Sequence, residues 1–427
     1  MAERTGPPQP TTTHLLRFTG EDRPGLTADL AKALAKRGAV VLDINQAVIH
    51  QSLLLGIMVA LPVQSKKADK TIRAIDKAAK RLGLKLKARA IANKDYDAWV
   101  GRQGKPRHIL TLLTRTLTAA QLTAVTRVIA DQGLNIDVIH RLSGRPPRPR
   151  IHEQPNGEKR RACVEFWLRG EPTDNDAMHE RFMQLGHELA LDIAWQKDDV
   201  YRRSRRMVVF DMDSTLIQAE VIDELAKEAG VGDRVAGITE AAMRGEIDFD
   251  ESLRQRVALL EGLPESTLQT VAERLVLTEG CETLIENLRA FGYKTAVLSG
   301  GFTYFGGHLQ RLLGLDHVHA NELEIENGRL TGRVVGTVVN GPRKAELLRA
   351  IAAEEGINRR QVVAVGDGAN DLPMLNAAGL GIAFHAKPIV REKAEHSVST
   401  LGLDAILYLL GVRDRQRLES PAAATVT

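Results

Sequence analysis

Polar and apolar positions divide the chain into two regimes that meet near Arg206. In the first, short apolar runs and amphipathic helical stretches follow one another in an order that occurs twice. His14-Leu-Leu-Arg-Phe18 and His108-Ile-Leu-Thr-Leu112 begin strand-like runs 94 residues apart. Each is followed by a helical pattern (26–37; 119–132), a glycine (Gly38; Gly133) and a strand containing Leu42-Asp-Ile44 or Ile136-Asp-Val138. Then come an apolar strand (53–61; 162–168), a second helix (68–82; 175–190) and a closing strand (84–90; 191–194). The order βαββαβ predicts a ferredoxin-like unit, an antiparallel sheet with two helices on one face. Two such domains are expected, over 13–95 and 106–200. The fold by itself implies no activity.

Beyond Arg206 short apolar strands alternate with helices, the pattern of a doubly wound parallel α/β sheet. Strands are expected at 207–210, 294–298, 361–365 and 380–384, within a domain spanning 205–412. Between the first two, residues of about 216–276 carry mostly helical patterns, such as 220–229 and 249–260, and predict a helical cap inserted after the first strand. Asn327-Gly328 between alternating runs predicts a hairpin. The Pro- and Thr-rich start, 1–12, and the tail, 413–427, are expected to be disordered.

Composition changes this picture little. The 427 residues leave room for several domains, and 43% hydrophobic and 26% charged residues are ordinary for a globular protein. A net charge of +4 offers no broad basic field, so no nucleic-acid partner is expected. The basic stretch 143–161 lacks an aromatic residue to stack bases and reads as a solvated hairpin loop. Cys163 and Cys281 form no metal-spaced or redox-spaced pair, which suits a reducing compartment. With no signal-peptide core and no run of 18 apolar residues, the expectation is a cytoplasmic protein without a membrane partner.

Four polar groups stand at or near the expected strand ends: Asp211 with Asp213, Ser299-Gly300-Gly301, Lys344, and Gly366-Asp-Gly-Ala-Asn-Asp371. Strand ends of one parallel sheet converge, so distant residues can meet there. Alone, each has a plainer reading: the aspartates as a helix N-cap with a stray carboxylate, Ser299 as a cap, Lys344 as a surface lysine, the glycines as a turn. Together they suggest phosphoryl chemistry without a nucleotide-cradling loop. A phosphate approaching two aspartates is repelled by roughly 4 kcal/mol per charge pair at about 4 Å and an effective dielectric near 20. Cations are therefore needed: Lys344, and a hard divalent ion such as Mg²⁺ held by Asp211 and Asp367. Asp211 could attack phosphorus, with Asp213 serving the leaving alkoxide and then a water. Asp213 must then have a raised pKa, by neighbouring carboxylates or by desolvation under the cap.

Asp211-Met-Asp-Ser-Thr215, Ser299, Lys344 and Gly366-Asp-Gly-Ala-Asn-Asp371 resemble, in order and context, the four motifs of the haloacid-dehalogenase-like phosphatases. Glu220, Met243 in Ala-Ala-Met-Arg-Gly, and Asp248-Phe-Asp-Glu-Ser-Leu-Arg-Gln-Arg-Val-Ala-Leu-Leu260 narrow the resemblance to the phosphoserine phosphatases. The resemblance implies Asp211 as nucleophile and Mg²⁺ ligand, and Asp213 as acid/base whose backbone carbonyl also ligates. It implies Ser299, Gly300 and Lys344 around the phosphoryl group, Asp367 as the remaining protein ligand, and Asn370 and Asp371 orienting the phosphate and the metal shell. For the substrate O-phospho-L-serine, Arg256 would pair with the carboxylate and Glu220 with the ammonium, under Phe249 and Met243, although these last two also read as plain cap core.

The repeated first half resembles paired ACT domains, which commonly bind amino acids at subunit interfaces. Gly20-Glu-Asp-Arg-Pro-Gly-Leu-Thr-Ala-Asp29 matches their loop-to-helix turn, and Asp22 and Gly25 become candidate regulatory residues. In repeat two Thr118 and Ala119 replace Pro24 and Gly25, a departure from that pattern. The implied behaviour is a homodimer with L-serine as its effector. A phosphatase or phosphotransferase for another small phosphomonoester, and an amino-acid sensor without catalysis, are the alternatives.

Overall fold

The computed structural model describes residues 11–62, 65–145 and 160–418, the side chains of 65–68, Gln103 and Met243 excepted. The expectations for 1–10, for most of the basic loop (146–159) and for 419–427 lie outside the described residues. The chain divides into two compact units between Lys105 and Pro106.

The first unit is an antiparallel sheet of β1 (Thr11–Glu21), β2 (Val40–Ile49), β3 (Ser52–Pro62) and β4 (Lys85–Ile91) in the order β2-β3-β1-β4. Alternation drives it over most of its length: Leu53, Leu55, Ile57 and Val59 of β3 are buried, as are Leu16 and Phe18 of β1 on either side of exposed Arg17. Helices Leu26–Ala35 and Ser65–Arg81 cover that face, with Leu30, Leu34, Ile75 and Ala79 in the shared core. β1 begins at Thr11, inside the stretch 1–12 expected to be disordered, because Thr11 to Thr13 pair with Ala60 to Pro62. A helix at Asn93–Gly101, with no buried residue, was outside the predicted elements.

The second unit contains the second βαββαβ sheet and a seven-stranded one. β5 (Arg107–Thr114), β6 (Asn135–Arg141), β7 (Ala162–Arg169) and β8 (Asp192–Lys197) form an antiparallel sheet in the order β6-β7-β5-β8. The larger sheet uses β9 (Met207–Phe210), β10 (Lys294–Phe302), β11 (His317–Glu326), β12 (Arg329–Val335), β13 (Val362–Gly366), β14 (Leu380–Phe384) and β15 (His396–Val398). Its order is β12-β11-β10-β9-β13-β14-β15, parallel except for β12, which turns back through Asn327 and Gly328, both at positive φ. β9 is buried on both faces: Val208 and Phe210 join one core layer, Met207 and Val209 the other.

Four helices, Val221–Glu228, Gly232–Met243, Phe249–Ala258 and Ser266–Arg274, form the cap between β9 and β10. Backbone bonds seat the cap on the hairpin: Gly262 N donates to Leu330 O at 2.8 Å and Leu330 N to Leu263 O at 2.9 Å.

Ion pairs and polar bonds join the second βαββαβ sheet to the segment that follows it and to the seven-stranded half. Glu165 of β7 accepts from Arg202 at 2.6 Å, and Asp192 of β8 accepts from Thr400 N at 2.8 Å. Residues 413–418, expected to be disordered, are packed here instead. The Arg417 guanidinium lies 4.1 Å from the Tyr408 ring centroid and donates to Asp404 at 2.7 Å, while Leu418 N donates to Asn287. A local polar composition did not reveal these partners, of which Asn287 is remote along the chain.

Candidate active site

β9 is the central strand, so its carboxyl end faces the ends of β10 and β13. Asp211 follows β9 directly, its N–H donating to Val365 O at 2.9 Å. A tight turn over Met212–Leu216, with Ser214 at φ 57°, then carries Asp213 back towards the cap. Asp211 and Asp213 are both buried, at 5% and 8% exposure.

Lys344 stands on helix Gly341–Glu354, capped by Asn340, whose Oδ1 accepts from Arg343 N at 3.1 Å. Its side chain is fully buried, and Nζ donates to Asp211 Oδ1 at 2.5 Å and Asp371 Oδ1 at 2.7 Å. Asp371 also accepts from Gly368 N at 2.9 Å. Gly366 permits this loop: a Cβ there would lie 2.5 Å from the Asp371 carboxylate. Asp367 accepts from Thr215 Oγ1 at 3.3 Å.

Carboxylate oxygens of Asp211, Asp367 and Asp371 lie within 4.8 Å of one another. Against three carboxylates the cluster sets one lysine, and the excess of negative charge disfavours ionisation of its members. Burial and Asp371 push Asp211 well above the ordinary carboxylate range, and burial with Asp371 and Glu220 brings Asp367 up to about 7. Lys344 is held protonated by Asp211 and Asp371 although burial opposes it. A cluster of hard oxygen donors carrying unneutralised charge fits a small divalent cation such as Mg²⁺. Asp371, expected in the metal shell, stands in the carboxylate cluster itself. Asp213 does not: its carboxylate accepts from Val221 N at 3.1 Å, at the start of the first cap helix. Burial, then Glu220 and Asp211, hold its pKa well above the usual range.

A cavity of about 990 Å³ opens above the cluster, and Asp211, Asp213, Glu220, Arg256, Gly300 and Asn370 all line it. Ser299 and Lys344 lie behind its wall, fully buried, and Ser299 Oγ accepts from Gly301 N at 2.9 Å. Glu220 begins the first cap helix and accepts from Ser214 Oγ at 2.9 Å. Burial disfavours the charge of Arg256, but Glu220, Asp223 and Asp213 oppose that loss. Phe249 packs on Gly300 so closely that a Cβ there would lie 2.8 Å from its ring. Met243 ends the second cap helix, and its side chain lies outside the described residues.

Sequence reasoning missed Asp223, which lines the cavity one turn after Glu220, although the i, i+3 spacing signals a shared helix face. It also missed Asn340, whose place before Gly341 and Pro342 is a helix-start signal.

In the first unit, Gly25 (φ 91°) starts helix Leu26–Ala35 without a side-chain cap, and Asp22 N donates to Gln51 O at 2.8 Å. The equivalent helix of repeat two is closed by its own residues: Thr118 Oγ1 accepts from Gln121 N, and Gln121 Oε1 from Thr118 N.

The haloacid dehalogenase-like hydrolase family model matches residues 208–376, and ACT domain models match 12–89 and 106–148. A phosphoserine phosphatase of Streptomyces coelicolor is 43% identical over 96% of this chain and 94% of its own length. The phosphoserine phosphatase SerB2 of Mycobacterium tuberculosis is 44% identical over 93% of each chain. Among solved structures, an unliganded probable phosphoserine phosphatase from Vibrio cholerae superposes with a TM-score of 0.55 at 38% identity, covering 71% of this chain and 86% of that one. On the strength of these relatives and of the carboxylate–lysine cluster beneath a helical cap, the chain belongs to the phosphoserine phosphatase family, with a haloacid-dehalogenase-like hydrolase domain and ACT domains before it.

Proposed function

We propose that the chain hydrolyses O-phospho-L-serine to L-serine and phosphate through an aspartyl-phosphate. The observation that carries this reading is one cavity with three chemistries: Asp211 at its floor, Glu220 for an ammonium, and Arg256 for a carboxylate. An Asp211 oxygen attacks phosphorus, and the bond from phosphorus to the serine oxygen breaks. Asp213, kept protonated by burial and by its acidic neighbours, donates its proton to the departing alkoxide. As a base it then takes a proton from water, which attacks the phosphorus, freeing phosphate and restoring Asp211.

Gly300 and Gly301 bring backbone against the phosphoryl group, and Asn370, which lines the same cavity, orients it. Lys344 offsets the charge of Asp211 and Asp371 from behind. Mg²⁺ held by Asp211 and Asp367, with Asp371 beside them and the Asp213 carbonyl as a further donor, would supply the positive charge that lets a phosphate dianion approach. Phe249 covers the small substrate and excludes water.

The same proposal includes control by L-serine in a cytoplasmic homodimer. The helix start at Gly25, beside Asp22, has no side-chain cap among the described residues and presents its N–H groups to a carboxylate, whereas Thr118 and Gln121 occupy that place in repeat two. β2 is an edge strand with Val41, Ile44 and Ile49 at least half exposed, a surface suited to a second copy.

Phosphate release from a panel of phosphomonoesters tests the reading, with Mg²⁺ or EDTA and with or without L-serine. O-phospho-L-serine is expected to be preferred, EDTA to stop turnover reversibly, Asp211→Asn to abolish it, and L-serine to slow it. Equal rates on esters lacking a carboxylate would point instead to another small phosphomonoester.

A further inference from the structure

Asn340 makes two side-chain hydrogen bonds, of which helix capping explains one. Its Oδ1 accepts from Arg343 N, while its Nδ2 donates to Asp250 Oδ1 at 3.0 Å. Asp250 is the second residue of cap helix Phe249–Ala258, which also carries Phe249 and Arg256. Both partners line the cavity. A serine or aspartate would cap equally well, so the amide donor is surplus to the helix.

Behind Asn340 the polar path continues. Val339 N donates to Asn321 Oδ1 at 2.8 Å, and Asn321 Nδ2 donates to Gly300 O at 2.8 Å. Asn321 is 2% exposed, so its amide is fixed by these two bonds. Ahead of it, Lys344 N donates to Asn340 O at 2.9 Å, and Gly341 packs so near Asn370 that a Cβ would lie 2.8 Å from its carbonyl oxygen. Asn340 therefore stands where Gly300, Lys344 and Asn370 are tied together, and reaches from there to the cap.

We infer that Asn340 and Asp250 form a latch holding the cap closed over the cavity, so that Phe249 and Arg256 come to register with the Asp211 site. The inference rests on the reading of that cavity as the substrate site. Both are positioning residues: neither is placed on the reacting atoms. The latch favours the closed cap in proportion to the bond it makes, and losing it lowers the fraction of protein competent to hold substrate.

The test exchanges donor and acceptor. Asn340→Asp keeps the helix-capping oxygen but turns an acceptor towards the Asp250 carboxylate, and Asp250→Ala removes the partner. Each is expected to lower kcat/KM for O-phospho-L-serine roughly tenfold, as for loss of a hydrogen bond to a charged group, with the thermal midpoint held. Asn340→Asp with Asp250→Asn restores a bond of opposite sense and is expected to recover most of the loss. Wild-type kinetics from Asn340→Asp, or a double variant no better than Asn340→Asp, would overturn the latch. Running p-nitrophenyl phosphate in parallel separates the two ideas. A wild-type protein that turns over only that ester refutes the substrate assignment, and the variants then judge the latch on it.

Discussion

The contact between Gly300 and Phe249 converts one methyl group into a measurable loss. Gly300 is not among the residues at positive φ, so alanine fits its backbone and keeps the carbonyl bond to Asn321. The added Cβ, however, would stand 2.8 Å from Phe249 Cζ and 3.4 Å from Cε2. Carbon atoms rest at about 3.5–4.0 Å, so the ring must retreat by roughly 1 Å. Phe249 opens the cap helix that carries Arg256, and a rigid helix passes the displacement on. A misplacement of about 1 Å in a positioning element can cost ~100-fold in rate, which is about 2.7 kcal/mol. Gly300→Ala is therefore expected to fold normally and to lose one to two orders of magnitude in kcat/KM, read from phosphate release with O-phospho-L-serine. Phe249→Leu makes room for the methyl, so the double variant should lose less than the two single losses combined. Undiminished kcat/KM in Gly300→Ala, or losses that simply add, would refute the reasoning.

Two further outcomes follow from buried titratable groups. His396 on β15 is 3% exposed, its Nδ1 has no hydrogen-bond partner among the described residues, and burial depresses its pKa to about 3. Between about pH 6.5 and 3 the unfolded chain binds a proton there that the folded one refuses, so stability falls with acidification by about 1.4 kcal/mol per pH unit. His396→Gln should flatten that acid limb in urea melts compared at pH 7 and pH 5, and an unchanged slope would count against it. Cys163 and Cys281 are both buried, and burial raises both thiols, Cys281 up to about 12. Iodoacetamide at pH 8 should leave the native protein unmodified and label both sites only after denaturation, as mass spectrometry would show; fast native labelling would contradict it.

Local physics made much of this legible beforehand. Alternation in β1 and β3 and the double-sided apolar run of β9 announce their strands because burial follows a period of two, or none. Asn327-Gly328 announces its hairpin because only certain residues adopt positive φ cheaply. β15, three residues long, carries no periodic signal and is held in place by pairing with β14. Arg413 to Leu418 look like a polar tail until Tyr408, Asp404 and Asn287 are beside them. For Asp371 the resemblance implies only a part in orienting the metal shell, and the turn after Gly366 is what brings its carboxylate beside those of Asp211 and Asp367.

By itself the sequence determined which residues are chemically able to act: two aspartates after a strand, a serine-glycine turn, a lysine, and an acidic glycine-rich loop, in that order along a doubly wound half. Those are choices of residue type and local period, which a linear chain carries in full. Only the tertiary structure decided what each group experiences. Lys344 meets Asp211 across 133 positions and Asn340 meets Asp250 across 90, and no local pattern encodes such distances. The proton on Asp213 is the clearest case. An isolated aspartate is ionised at neutral pH, and it is burial, with Glu220 and Asp211 brought close by the turn and the cap, that makes its charged form costly.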